Sequence, residues 1–516
     1  MNSKRLLSIC LLSASTIALS SCGSSTKGYP SDYSVDTNGV TIDMWTPFGS
    51  NTIEPILEEL LEDFETTYNI HVNVETKGSY DNLRKAISGA ATSMKYPNIT
   101  LAYPDHMAEY VNEDIILRLD SFFEHDSEIT NSNLTEDDMF TFSPNDFYSD
   151  YMVENQNVEF DENGNGYTLG VPFNKSTEVM VYNKTFMEWA CSEDSNIKIP
   201  TTWDELDTVG TAILNLMSDK YGKYIGTDHQ VYNSNEECPG KKCLLDFSSL
   251  TKNDFSADNQ TTKFVPFSYD SQANFFITLC RQFGGEYTSV NKTTRQGRIE
   301  FNRSETNNAL GKILSLYRKG ILAIPDTFGE EKYNSNPFKR MQTVMNIGST
   351  AGADNALPQA GKFELGSAPV LYNTEDNKYV ISQGTNLCLL DKGTDAEKMA
   401  SYQLLRYLSK KVNAEFSVQS GYFPSCEYAQ NSDVYQDFLN RTDVYSNEEQ
   451  NQQIAIINND VYMNKELGWT KFVDAPFVGS ALCRNEVATI IPQVLEGNKT
   501  IIEILNEVCA NLADYQ

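Results

Sequence analysis

Apolar positions return along this chain at two spacings. Val40 to Trp45 reads as a short strand, and Ile53, Ile56, Leu57, Leu60, Leu61, Phe64 and Tyr68 then recur every three to four residues before Ile70, Val72 and Val74 alternate. That order predicts a β-α-β unit. A second helix is predicted over about Tyr80 to Met94, with Leu83, Ala86, Ile87 and Ala90 on one face, and Pro97-Asn98-Ile99-Thr100-Leu101 supplies a third strand. The same alternation returns later as a strand at Val179 to Tyr182, a helix from Trp203 to Met217 opened by Thr201-Thr202, and an amphipathic helix from Ser304 to Lys319 ended by Gly320. Strands alternating with helices predict an α/β fold of parallel strands and crossover helices. In such open sheets ligands bind beyond the carboxyl ends of the strands. The loops after Trp45, Leu101 and Val171 are therefore where function is expected.

The first residues do not follow this pattern. Lys4 and Arg5 precede an apolar run from Leu6 to Leu19, which is too short to span a ~30 Å hydrocarbon core and reads as an export signal. The run ends in Leu19-Ser20-Ser21-Cys22, which resembles the bacterial lipobox; the alternative is an ordinary signal peptide with a chance cysteine. The lipobox reading makes residues 1–21 a removable leader and Cys22 the site of lipidation, and more than one acyl chain on that cysteine anchors stably. Residues 22–36, rich in Ser, Gly, Thr and Pro, form a flexible tether, with folded structure beginning near Asp36.

Composition narrows the partners. Of 516 residues, 71 are Asp or Glu and 40 are Lys or Arg, a formal charge of −31 that becomes −33 once Lys4 and Arg5 leave with the leader. Such a surface repels phosphate backbones, so nucleic acid is excluded as a partner. Hydrophobic residues at 40% and charged ones at 22% are globular values. Among the cysteines, Cys238-Pro-Gly-Lys-Lys-Cys243 encloses a Pro-Gly turn and is a candidate disulfide, whereas Cys280, Cys388 and Cys483 sit in apolar surroundings as small hydrophobes. No cysteine spacing suits zinc. Asp161-Glu162-Asn163-Gly164-Asn165-Gly166 copies the first half of a calcium loop, but its twelfth position is Pro172, so an Asn-Gly turn is the better reading and no metal is expected. Only His71, His106, His125 and His229 are available for nucleophilic catalysis, and neither Gly-x-Ser-x-Gly nor His-Glu-x-x-His occurs.

One long stretch carries a resemblance. Gly170-Val171-Pro172-Phe173-Asn174-Lys175-Ser176-Thr177-Glu178-Val179-Met180-Val181-Tyr182-Asn183-Lys184 resembles the central motif of the extracellular solute-binding proteins of ABC importers, in the branch that captures sugars and glycerol phosphates. Pro200-Thr201-Thr202-Trp203, Phe283-Gly284-Gly285, Phe301-Asn302, Val344-Met345-Asn346-Ile347-Gly348-Ser349, Gly366-Ser367-Ala368-Pro369, Gly421-Tyr422-Phe423-Pro424 and Leu495-Glu496-Gly497 follow in the family's order. Two tracts depart from it, an acidic one from Asn131 to Glu162 and a polar one from Tyr232 to Lys263. The resemblance implies a periplasmic-binding-protein-like fold of type II, with two α/β lobes around a cleft and a hinge of several segments. Crossings are expected near Asn174 to Glu178, near Pro369 and just after Pro424. They assign 37–175 and 370–425 to lobe I, and 176–369 and 426–516 to lobe II. The resemblance further implies a monomer without cofactor, held on the outer face of a membrane by its lipid, that delivers a carbohydrate to ABC permease subunits. An exported glycan-degrading enzyme and a surface adhesin are the alternatives.

Sugars present hydroxyls and weakly apolar ring faces, so aromatic rings beside amides, hydroxyls and carboxylates are the side chains to seek. Trp45 is a candidate platform at a strand end, or a core tryptophan. Tyr103 and Asp105 follow the third strand, where Asp105 either meets ligand or caps a helix. Ser176 lies where the family places a hydroxyl against ligand, or bonds within the hinge. Gly348, Ser349 and Gly384 mark close approach to ligand, or plain turns. Tyr422 is expected to pack at the third crossing. Arg484 is a candidate for a phosphate or a pair of hydroxyls, or a surface ion pair. The family's phosphate binders carry tryptophans in the region that here reads Phe267-Ser268-Tyr269-Asp270-Ser271-Gln272, so a neutral sugar is expected, with Gln272 as a partner.

Overall fold

A computed structural model describes residues 28–49, 53–248, 250, 264–358, 362–442 and 446–515. The leader, Cys22, the start of the tether and residues 251–263 of the polar tract lie outside the described residues. Two five-stranded sheets organise the chain. The first runs, edge to edge, His71–Thr76, Thr41–Thr46, Ile99–Ala102, Asn386–Leu389, Val171–Pro172; the second runs Leu322–Ala323, Phe267–Tyr269, Met345–Ser349, Glu178–Asn183, Leu365–Ala368.

The predicted helices form where the apolar spacing places them. Helix Ile53–Tyr68 buries Ile56, Leu57, Leu60, Leu61, Phe64 and Tyr68 against the first sheet. Helix Tyr80–Ala90 starts where the Ser79 hydroxyl accepts the Asn82 N–H, and its buried face carries Leu83 and Ile87. In the second lobe, Trp203–Met217 is capped by Thr202, and Ser304–Arg318 buries Ala309, Leu310, Ile313 and Leu316.

The strands are not all parallel as expected. Thr41–Thr46 runs parallel to both its neighbours, but Asn386–Leu389 is antiparallel to Ile99–Ala102, and Glu178–Asn183 is antiparallel to Met345–Ser349 and Leu365–Ala368. Both exceptions directly follow a passage between the lobes. A strand that starts at the hinge must run away from it, whereas the parallel strands run toward it and end there.

The hinge is a small ladder. Ser176 N–H donates to the Gln383 carbonyl at 3.0 Å and Gln383 N–H returns to Ser176 at 2.9 Å, while Phe423 N–H donates to Lys175 at 2.8 Å. Gly384 has φ +87°, and a Cβ there would stand 1.8 Å from the Asn174 carbonyl oxygen, so only glycine fits. Lys175, fully buried, is ion-paired to buried Glu154 and donates to the Gly384 carbonyl at 3.2 Å.

Two expected crossings move. The second lies at 382–385 instead of Pro369: Val370, Leu371, Val380 and Ile381 remain in the second lobe's core, where strand Tyr379–Ile381 pairs with Thr470–Phe472. The third is not just after Pro424. Cys426, Ala429, Tyr435 and Phe438 share a core with Leu57 and Phe64 of the first lobe. The return runs through helix Ser446–Ile457, where Gln450 donates to the Ala353 carbonyl of the second lobe at 2.6 Å and Ile454 and Ala455 share a buried cluster with residues of both lobes, Ala353 and Phe363 among them. Among the described residues no helix is long and apolar enough to cross a membrane.

The acidic tract is built into the first lobe, with Phe142, Phe147 and Met152 in its core and Glu154 paired to Lys175 of the hinge. Phe160 and Gly166 pair around a turn in which Asp161 accepts the N–H groups of Asn163 and Asn165, as the Asn-Gly reading expects. Cys238 and Cys243 are disulfide-bonded with Cα atoms 5.5 Å apart, beside a three-stranded sheet at 224–246.

Candidate functional site

The strands Thr41–Thr46 and Ile99–Ala102 of the first lobe, and Phe267–Tyr269 and Met345–Ser349 of the second, direct their carboxyl ends into the gap between the lobes. From the first lobe this gap receives aromatic rings. Tyr103 stands where its strand hands over to helix Pro104–Asn112, and Tyr80 opens its own helix. Their rings lie 4.9 Å apart at 61°, with Phe48 6.4 Å from Tyr80. The Tyr80 hydroxyl accepts from Asn174 Nδ2 at 2.9 Å, and Tyr422 stands beside it, stacked on Phe416. All three tyrosines are partly exposed, although burial pushes their phenols up and keeps them protonated.

The second lobe contributes a polar arc. Asp270 directly follows its strand; its Oδ1 accepts Asn334 N–H at 2.8 Å, Asn334 Nδ2 at 3.1 Å and Asn346 Nδ2 at 3.2 Å. Its Oδ2 occupies the space a Cβ on Gly348 would need, at 2.4 Å, so Gly348 is glycine to admit a carboxylate. Glu178, buried just past the hinge, accepts the Tyr269 hydroxyl and Asn274 Nδ2. Asn274 in turn accepts from Arg484, which is ion-paired to Asp474. Burial lifts Glu178 to about 7 and Asp270 to about 6. It works against the Arg484 charge, but Asp474 and Asp105 outweigh it and hold that pKa up.

The lobes meet where helix Pro104–Asn112 packs against helix Ser480–Val487, which brings Tyr103 and Asp105 to Arg484. At the Phe48 end, Phe48, Gly49 and Ile53 face Ala351, Asp354 and Asn355 across a cavity of about 200 Å³. Rings on one wall and amides and carboxyls on the other suit a polar ligand with apolar faces. Among the described residues no group of three or more His, Cys, Asp or Glu side chains is placed to hold a metal.

The family model described as bacterial extracellular solute-binding protein matches residues 59–451. The chain belongs to this family. No curated protein matches this solute-binding protein in sequence. Its fold is shared with UgpB of Mycobacterium tuberculosis in complex with glycerophosphocholine, at 14% identity and TM-score 0.64 over 92% of this chain and 98% of that one. A Listeria monocytogenes ABC substrate-binding protein in complex with cycloalternan aligns at 15% identity and TM-score 0.63, over 92% and 99% of the two chains. The GacH receptor of Streptomyces glaucescens, solved unliganded and with acarbose, aligns at 16% and 0.60, over 93% and 100%. The two-lobed α/β architecture is thus periplasmic-binding-protein-like.

In the solute-binding protein, the residues expected from sequence fall into three groups. Tyr103, Asp105, Gly348, Ser349 and Arg484 gather in the cleft. Ser176 and Gly384 lie in the hinge, where Ser176 bonds through its backbone and the Asn174 carbonyl leaves room only for glycine at 384. Gln272 begins helix Gln272–Gln282 at a partly exposed position, while Asp270, two residues earlier, joins the arc. Trp45 lies inside its strand and not in the loop after it; Lys77 Nζ is 3.6 Å from its ring centroid, and the ring packs on the Leu83 and Ile87 cluster. Tyr80, Asp270, Asn274, Asn334, Asn346 and Asp474 escaped sequence reasoning. For Asp270 a signal existed, since it is the first residue past a strand; Asp474 is in no predicted element and is drawn in by packing alone.

Proposed function

We propose that this protein is the substrate-binding component of an ABC importer, capturing a mono- or oligosaccharide outside the cell and handing it to membrane permease subunits. The observation that carries the reading is the pairing, across one cleft, of the Tyr80, Tyr103 and Tyr422 wall with the amide and carboxyl arc from Asp270 to Arg484. Aromatic faces and convergent hydrogen-bond partners are what a sugar requires. The hinge ladder supports the same reading, because a ligand touching both walls favours the closed arrangement. The cycloalternan and acarbose complexes of its structural relatives are consistent with it. The Leu19-Ser20-Ser21-Cys22 sequence supports a lipid anchor at Cys22, and the protein works as a tethered monomer with no catalytic step.

The test is a thermal-shift and calorimetric screen of the purified mature protein against uncharged mono- and oligosaccharides. A ligand that binds only the folded state raises apparent stability by mass action. Tyr103→Ala is expected to weaken the best ligand at least tenfold, about 1.4 kcal/mol. Hydrolysis of a glycan by the pure protein, or no saturable binding by any solute, refutes the reading.

A further inference from the structure

We propose that the cleft admits an uncharged, hydroxyl-rich solute and rejects phosphorylated ones, and that Asp474 is the residue that sets this choice. The inference rests on the solute-capture reading and adds the charge class of the ligand.

Arg484 is the group on which an anion would depend, and both arms of its guanidinium are engaged: Nη1 is ion-paired to Asp474 and Nη2 donates to Asn274 Oδ1. Its side chain remains 30% exposed, so it faces the cleft with its charge already matched. Asp105 approaches it from the opposite lobe, and Glu178 stands behind Asn274. Lys332 is exposed and lies over the Tyr333 ring. A phosphate brought to Arg484 would have to displace Asp474 and leave that carboxylate, 9% exposed, uncompensated beside a second anion.

The Asp270 carboxylate points the same way. On Asp270 all three donors converge on Oδ1, which leaves Oδ2 beside Gly348. That oxygen is an acceptor, so the matching ligand brings a donor. A sugar hydroxyl is a donor; the phosphoryl oxygens of a phosphomonoester dianion such as glycerol 3-phosphate are only acceptors.

Calorimetry with glycerol 3-phosphate and with inorganic phosphate tests this directly, beside the panel of uncharged sugars. The wild type is expected to give no saturable heat with either phosphate at millimolar concentration. Asp474→Asn, and independently Asp474→Ser, releases Arg484 and is expected to bind glycerol 3-phosphate at least tenfold more tightly than wild type; adding Arg484→Gln abolishes the gain. Submillimolar binding of glycerol 3-phosphate by the wild type overturns the proposal, and that arm stands even if a variant fails to fold, which circular dichroism would reveal. Folded Asp474 variants without the gain also overturn it. A wild type that binds phosphates and no uncharged sugar refutes the charge selection but leaves solute capture intact, whereas a wild type that binds no solute of either kind refutes both.

Discussion

Glu178 makes a quantitative test of the cleft. Its carboxyl is 1% exposed, and burial lifts it from 4.5 to about 7 although Tyr269 and Asn274 bond to it. Between those two values the folded protein keeps a proton that the unfolded chain releases. Stability must therefore fall as pH rises through this window and level off above it. At 1.36 kcal/mol per pKa unit the full loss is roughly 3 kcal/mol. Glu178→Gln cannot ionise and keeps an oxygen for the Tyr269 hydroxyl, so its stability relative to the wild type should rise by roughly 2–3 kcal/mol between pH 5 and pH 8. Asp270, lifted to about 6, titrates in both proteins, and its repulsion with Glu178 is lost in the variant. Urea denaturation followed by circular dichroism at about pH 5, 6 and 8 measures this difference. Parallel pH profiles for variant and wild type would refute the assignment of a buried, partly protonated carboxyl at this position.

Two further outcomes concern the hinge. Lys175→Met leaves Glu154 buried without its cation and should cost about 3–5 kcal/mol, with part of the loss recovered when Glu154→Gln is added; a double-mutant cycle by chemical denaturation reads the coupling, and additive losses would contradict it. Gly384→Ala combines a positive φ with a contact to the Asn174 backbone and should lower stability by at least about 1–3 kcal/mol, seen as a drop in Tm; a neutral result would show that the ladder shifts freely at this point.

What the sequence could show follows from how local each feature is. Helices such as Ile53–Tyr68 and Trp203–Met217 are written in side-chain spacing, because a helix face needs only its own residues. The crossings are not local. Pro369 ends a strand and looks like a boundary, yet Val370 and Leu371 fold back into the core they have just left, a choice made by partners such as Tyr462, whose hydroxyl accepts the Val370 N–H at 2.9 Å. Alternation could have settled Trp45: Ile42 and Met44 share one core, so Trp45 must face the other side, toward Leu83. The loop after the third strand led to Tyr103, a family motif to Gly348 and guanidinium chemistry to Arg484, but nothing led to Asp474 or Asn334, because their places in the wall are set by packing and leave no periodic mark.

The antiparallel strand Asn386–Leu389 also bears on the order in which the chain can fold. It closes onto Ile99–Ala102, and Asn386 Nδ2 donates to the Ala102 carbonyl across a sequence separation of 284. As the polypeptide is synthesised, the first three strands are finished early but keep one flank open while all five strands of the second lobe's sheet are made. The nascent first lobe thus cannot complete its sheet until most of the protein has left the ribosome. Such enforced lateness suits a chain that must be threaded through a membrane before it folds.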